Sequence, residues 1–320
     1  MRITDNAIGG YFELEISDNG SVYHNTALAL NSGRNAFEYI LRCKKYQRIH
    51  IPYFTCEVLL QPVKKLNIEY SFYHINETFI PILTNYQDGD AILYTNYYGL
   101  NQKNIELLVK KYKHLIIDNS QALFDFPIEN ISTFYSPRKF LGLPDGGFVY
   151  GANEIKTDHY EIDSSLDRFS HLLCRIENDA ESGYDLFKIN DAKLDNQPIK
   201  LMSKFTKKLL NGVNFNKVIQ KRISNFNFIH DQLNKTNKLT SFIDQSKMTC
   251  PLVYPYWVEN GAELRKSLTT HRIYTAIYWP NTKTWCNSDS LEYRLTDEVV
   301  YLPIDQRYCF EELNEILQYV

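Results

Sequence analysis

The sequence predicts an α/β fold: a three-layer sandwich on a mainly parallel sheet, followed by a smaller C-terminal α+β domain. Three observations predict it. Short β-rich runs alternate with helical patterns between about residues 26 and 150. Ile92-Leu93 and Leu115-Ile116-Ile117 are near-continuous apolar runs, as strands covered on both faces require. A chain of 320 residues has room for one large and one small domain.

Taken in order, residues 1–25 read as an N-terminal arm with a Gly9-Gly10 turn and a short strand over 11–16. Residues 26–235 read as the large domain. Its strands are expected at 48–52, 69–74, 91–96, 114–118, 132–135 and 147–150. Apolar residues at helical spacing predict helices over 36–45, 56–65 and 104–112. The stretch 155–235 reads as helices rich in Lys and Asn. Residues 236–320 read as the small domain, with strands over 252–258 and 272–278 and helices over 261–268 and 310–319. No internal repeat or low-complexity linker interrupts this order.

Composition narrows the function classes. A formal charge of −3 offers no basic field for nucleic acid or anionic lipid. No apolar run has the length of a signal peptide or a membrane-spanning helix, and a cytoplasmic location is expected. The six cysteines are scattered without a Cys-x-x-Cys pair, so neither a disulfide framework nor a metal site is expected. His74, at a strand end, reads as a capping or core histidine.

The chemistry-bearing residues lie 21 apart. Asp118 ends the run 115–118 and begins Asp118-Asn119-Ser120-Gln121-Ala122; Lys139 sits in a tight turn before Pro144-Asp145-Gly146-Gly147. Open parallel sheets bind ligands beyond the C-terminal ends of their strands, and Asp118 sits at such an end, as do Asn96-Tyr97-Tyr98-Gly99. An amine and a carboxylate separated by one strand-turn-strand unit suit pyridoxal phosphate (PLP). The amine forms a Schiff base with the cofactor aldehyde, and the carboxylate keeps the ring nitrogen protonated. Ser32-Gly33-Arg34 opens a helix whose N-terminal N–H groups suit a phosphate.

These blocks, in this order, resemble the DegT/DnrJ/StrS family of PLP-dependent sugar aminotransferases, which have the fold-type-I architecture. Asn31 to Ala36 resembles the family's Ser-Gly-Thr-x-Ala phosphate turn, and Ile51 to Cys56 its Pro-x-aromatic-Thr segment. Asn96 to Gly99 resembles its His-x-Tyr-Gly turn, Asp118 to Ala122 its Asp-x-x-Gln-Ala block, and Phe134 to Gly147 its lysine loop. Ala276 to Pro280 resembles the His-Tyr-Pro region, and Leu302-Pro303-Ile304 the closing Leu-Pro block. The resemblance spans about 25–320; only the Asp118 and Lys139 blocks are specific. The chain is shorter than is usual for the family.

The resemblance implies PLP covalently attached to Lys139, which also shuttles the proton. It implies Asp118 at the ring nitrogen, Gln121 near the 3-oxygen, Phe54 (or Tyr53) stacked on the ring, and the Ser32, Gly33 and Arg34 segment around the phosphate. Tyr98, Tyr278 and Trp279 are the implied substrate contacts. A homodimer with shared active sites follows from the same likeness. So does transfer of an amino group from an amino acid, glutamate being the usual donor, to a keto sugar, nucleotide-linked, in surface polysaccharide or related biosynthesis.

Departures concern the phosphate. Phe134 stands where the family has a serine, with Ser136, Arg34 or Arg138 as substitutes, and the partner-subunit asparagine motif is replaced by Lys200-Leu201-Met202-Ser203. A catalytically silent binding or scaffold homologue is therefore the alternative. A PLP-dependent sugar dehydratase is a lesser one, because that branch replaces the lysine with histidine. Arg175 and Arg272 are further candidates for an anion clamp.

Overall fold

Alternate residues of the central strands serve two different cores, which makes this a three-layer fold. The computed structural model describes residues 10–18, 20, 23–152 and 154–320. Within them β1 (Leu28–Leu30) leads into α1 (Gly33–Lys44), β2 (Arg48–Pro52), α2 (Leu60–Lys65), β3 (Glu69–Ile75) and β4 (Pro81–Ile82). Then follow β5 (Ala91–Thr95), α3 (Gln102–Lys111), β6 (Leu115–Asp118), β7 (Ser132–Tyr135) and β8 (Gly147–Tyr150). The eight strands form one sheet in the order β1-β8-β7-β6-β5-β2-β3-β4. The run from β7 to β3 is parallel, and the outer β1, β8 and β4 are antiparallel.

Ile49, Ile51, Leu93, Ile116 and Phe134 pack with Phe37 and Ile40 of α1 on one face. Ile92, Tyr94, Leu115 and Ile117 pack on the other. A period of two with apolar residues at both phases is the signature of a strand with no wet face. Helix α1 starts where the Ser32 hydroxyl accepts the Asn35 N–H at 3.1 Å, a side-chain N-cap. It stops where Lys45 turns left-handed at φ 55°.

The middle of the chain is helical, with α4 (Ser170–Glu177), α5 (Tyr184–Ala192), α6 (Lys204–Asn211) and α7 (Phe215–Leu233). The remainder holds β9 (Tyr254–Trp257), α8 (Gly261–Thr270), α9 (Thr282–Trp285), α10 (Leu291–Glu298), β10 (Val299–Leu302) and α11 (Phe310–Leu317). This C-terminal α+β unit has its own antiparallel pair, β9 with β10. Tyr254, Tyr301 and Leu313 nevertheless share one continuous core with the sheet face that carries Ile117.

Two expected strands are absent. Residues 12–18 carry no strand, and Tyr11 and Phe12 are almost fully exposed; Gly9 lies outside the described residues. The stretch 272–278 is rich in Ile, Thr and Tyr, as strands are, but makes only the single bridge Ala276 to Tyr301. The partner that β9 takes is the later β10, whose residues 299–302 are all buried. Among the described residues no helix is long and apolar enough to cross a membrane.

Candidate active site

Asp118 and Lys139 come from neighbouring parallel strands. Asp118 is the last residue of β6, opposite Phe134 of β7. Lys139 closes the 3-10 turn Pro137–Lys139 that follows β7. Its charge acts on the Asp118 carboxyl, and both groups act on the Cys56 thiol together with Arg34. These four side chains thus lie near enough to act on one another at the C-terminal edge of the sheet. Asp118 is 4% exposed, whereas Lys139 is exposed. Burial pushes the Asp118 carboxyl up, against the pull of the Lys139 cation and of the Ser120 N–H, which donates to Oδ1 at 2.8 Å.

The lysine turn is pinned from both sides. Its Phe140 carbonyl accepts from Arg222 of α7 at 3.2 Å and from Gln306 at 2.9 Å. The Arg222 guanidinium also lies 4.8 Å from the Phe140 ring centre. Downstream, Asp145 is fully buried and accepts from Arg168 at 2.8 Å, Ser165 at 2.5 Å and Thr206. The Pro-Asp-Gly-Gly motif is thus the anchor of the turn. A fixed backbone is what a positioned amine requires.

At the N-terminus of α1, the Arg34 N–H group has no protein acceptor among the described residues, as expected of the first turn of a helix, and Ser32 bridges to Gly146 beside it. Ser136 faces this turn: a Cβ at Gly33 would lie 3.2 Å from the Ser136 Cβ and 3.6 Å from its Oγ. Phe134 is fully buried against Phe37, their rings 5.2 Å apart, so the position of the family's serine belongs to the core here. Two arginines flank the cup. Arg34 pairs with Asp195 at 2.7 Å and Asp191 at 3.4 Å, and Arg138 pairs with Asp191 at 3.1 Å. The Arg138 Nε is buried without a partner. Asp191 and Asp195, at the end of α5 and just beyond it, are absent from the sequence reading. They stand some 160 residues from Arg34, and no local pattern signals them.

Several implied contacts fall elsewhere. Phe54, the expected ring-stacking residue, is fully buried, edge-on to Trp279 at 4.8 Å and stacked on Tyr97 at 5.6 Å. Its alternative Tyr53 stacks on Phe72 at 4.8 Å. The thiol of Cys56, two residues after Phe54, is pushed up by burial and feels the Lys139 charge. Tyr98 is fully buried with its hydroxyl 2.9 Å from that of Tyr301, and Trp279 is 5% exposed; both are core. Tyr278 is half-buried, 4.6 Å from the Tyr301 ring. Arg272 is engaged by Glu181 at 2.7 and 3.0 Å, while Arg175 lines an open cavity of about 820 Å³. That cavity also includes His171, which feels the Arg138 charge.

The donor set fits a phosphorylated pyridine aldehyde. Gln121 is fully buried; its carboxamide oxygen accepts the Tyr98 N–H at 3.1 Å, and its Nε2 has no partner. Buried donors are rarely left unspent. Gln121 Nε2 and Arg138 Nε are both unpaired, and no carboxylate lies within 4 Å of the Lys139 amine among the described residues.

Asp125 has a measurable signature. Burial pushes its carboxyl up to about 7, against the Asn96 amide, which donates at 2.7 Å. Unfolded aspartate titrates near ~4, so the folded state keeps a proton that the unfolded chain has lost, and stability falls as pH rises from about 4 to 7. His24 works in the opposite sense. Burial lowers it to about 4, so stability is lost as pH falls from about 6.5 to 4. Asp125→Asn removes the first contribution and leaves every other group in place. Its stability, measured by urea unfolding, should therefore rise relative to that of the unsubstituted protein by ~3 kcal/mol between pH 4 and 6.5. Parallel curves for the two proteins would refute the Asp125 assignment.

No protein-family model and no curated protein matches the sequence. Solved structures do. Sugar aminotransferase CalS13 from Micromonospora echinospora superposes with a TM-score of 0.63 at 14% identity, over 92% of this chain and 86% of that one. This chain shares the fold of a sugar aminotransferase. NtdA from Bacillus subtilis, solved with bound cofactor PMP, matches with a TM-score of 0.62 at 14% identity, over 92% of this chain and 72% of that one. PseC from Helicobacter pylori, an aminotransferase involved in the biosynthesis of pseudoaminic acid, matches with a TM-score of 0.60 at 14% identity, over 92% and 85%. At such identities the likeness is one of architecture, and chemistry has to be argued from the residues.

Proposed function

We propose that the chain is a PLP-dependent aminotransferase that moves an amino group from an amino acid to a keto sugar. What supports this reading is that Asp118 ends β6 and Lys139 follows the adjacent β7, near enough for the lysine charge to act on the carboxyl. PLP, when bound, supplies an aldehyde that an amine can capture and a ring that accepts electrons. Every other role falls to this chain. Lys139 Nζ is the nucleophile, and as the general base it moves one proton across the substrate. The Asp118 carboxylate holds positive charge at the ring nitrogen, which would also relieve its own buried, cation-poor setting. Gln121 Nε2, which has no partner, would be available to the ring oxygen. The Gly33 and Arg34 N–H groups, the Ser136 hydroxyl and the Arg138 guanidinium hold the phosphate.

The acceptor is read as a nucleotide-linked keto sugar, the donor as glutamate, and the context as surface polysaccharide biosynthesis. The cavity beside His171 has room for a molecule of that size, and Arg175 on its wall makes no ion pair among the described residues. A homodimer with shared sites is part of the same proposal.

One observation favours the silent alternative: Asp191 and Asp195 already occupy the arginines at the phosphate end. Reconstitution separates the two readings. The purified chain incubated with PLP and reduced with borohydride should carry one cofactor mass on the peptide containing Lys139. An unmodified peptide at saturating PLP would favour the silent protein.

A further inference from the structure

A second cluster of chemistry-bearing side chains lies further out along the same sheet edge. His74 is the penultimate residue of β3, Cys286 directly follows α9, and Glu292 stands in the first turn of α10. One ligand atom from each lies within 4.8 Å of the other two. The Glu292 carboxylate is 1% exposed; it accepts the Ile75 N–H at 2.7 Å and faces His74 Nδ1 at 3.0 Å. No lysine or arginine pairs with it among the described residues. A buried carboxylate without a permanent cation is costly, and a divalent ion on the open side of the pair would compensate it.

We propose that His74, Cys286 and Glu292 form a binding site for a zinc-class divalent cation. One imidazole nitrogen, one thiolate and one carboxylate oxygen are the mixed donors that zinc accepts at about 2.0–2.3 Å, and three protein ligands leave a fourth position for water. The two donor atoms 3.0 Å apart need only a small separation to span such an ion. The Ile75 N–H already orients the carboxylate from behind, as an outer partner does for a metal ligand. The side chain of His74 is 49% exposed, which leaves a route in from solvent. Because β3 belongs to the large sheet and Cys286 and Glu292 to the C-terminal unit, the ion would staple the two. It would reinforce the contacts in which Asn281 donates to the Thr55 carbonyl at 3.0 Å and Thr282 to that of Tyr53 at 3.3 Å.

The test uses the full chain, stripped with a chelator and titrated calorimetrically with zinc alone. One zinc ion per chain should bind. Cobalt(II) in its place should show a thiolate-to-cobalt charge-transfer band in the near ultraviolet. In Cys286→Ser, which keeps the His74–Glu292 pair, that band should vanish and zinc affinity fall by more than ~100-fold, beyond the loss of an outer partner alone. Glu292→Gln should weaken zinc similarly. If its fold is lost, Cys286→Ser, a conservative change at a partly exposed position, still decides. Substoichiometric zinc on the unsubstituted chain, or equal affinity in Cys286→Ser, would overturn the site. Neither outcome bears on Lys139 or the cofactor.

Discussion

Replacing Lys139 by alanine should leave a folded protein that no longer transfers amino groups. No hydrogen bond or ion pair engages the Lys139 amine among the described residues, and its turn is held instead by Arg222, Gln306 and Asp145. A substitution at such an exposed position should shift stability by no more than about 0.5 kcal/mol. Function should respond very differently, because the same nitrogen is both covalent anchor and proton carrier. Single-turnover transfer from L-glutamate to bound PLP should slow by at least ~10³-fold, and added cofactor should wash out on gel filtration. Lys139→Arg should behave like the alanine variant, since a guanidinium keeps its proton. Transfer at an undiminished rate in Lys139→Ala would end the aminotransferase reading while leaving the fold untouched.

Gly147→Ala is expected to give the largest loss of stability among the substitutions near the site. A Cβ there would sit 2.4 Å from the Ser32 carbonyl oxygen and 2.8 Å from the Gly33 nitrogen. Both are backbone atoms at the mouth of α1, so no side-chain rotation can make room. Gly146, just before, donates its N–H to the Asn31 carbonyl at 2.9 Å, which holds the two segments together. The methyl must push the N-terminus of α1 away from β8, and overpacking of this kind costs about 3 kcal/mol or more. The displaced atoms are also those proposed to receive the phosphate. PLP affinity, measured by fluorescence titration, should therefore fall together with the urea midpoint. A variant of unchanged stability and affinity would show that this close approach is not required.

The lysine and the carboxylate were legible in the sequence because their relationship is local. One strand, one turn and one more strand separate Asp118 from Lys139, and adjacent parallel strands bring such positions side by side. The central strands were legible for a similar reason: being apolar at both phases of the period admits a doubly covered strand and little else. Phe54 was misread because an aromatic after proline satisfies a motif, while its burial depends on Trp279, which arrives 225 residues later. The stretch 272–278 was misread because residues of high strand propensity still need a partner, and β9 found its own in β10 instead. Asp191 and Asp195 carried no local signal at all.

By itself, then, the sequence determined the layered architecture and that Asp118 and Lys139 follow from adjacent strands, because both arise from short-range periodicity and from strand neighbours. Only the tertiary structure decided what surrounds that pair. The burial of Phe54 against Trp279, the two aspartates on Arg34 and Arg138, and the cluster of His74, Cys286 and Glu292 are contacts between residues far apart in the chain. Their formation depends on how whole layers dock, a matter of packing that no local pattern encodes.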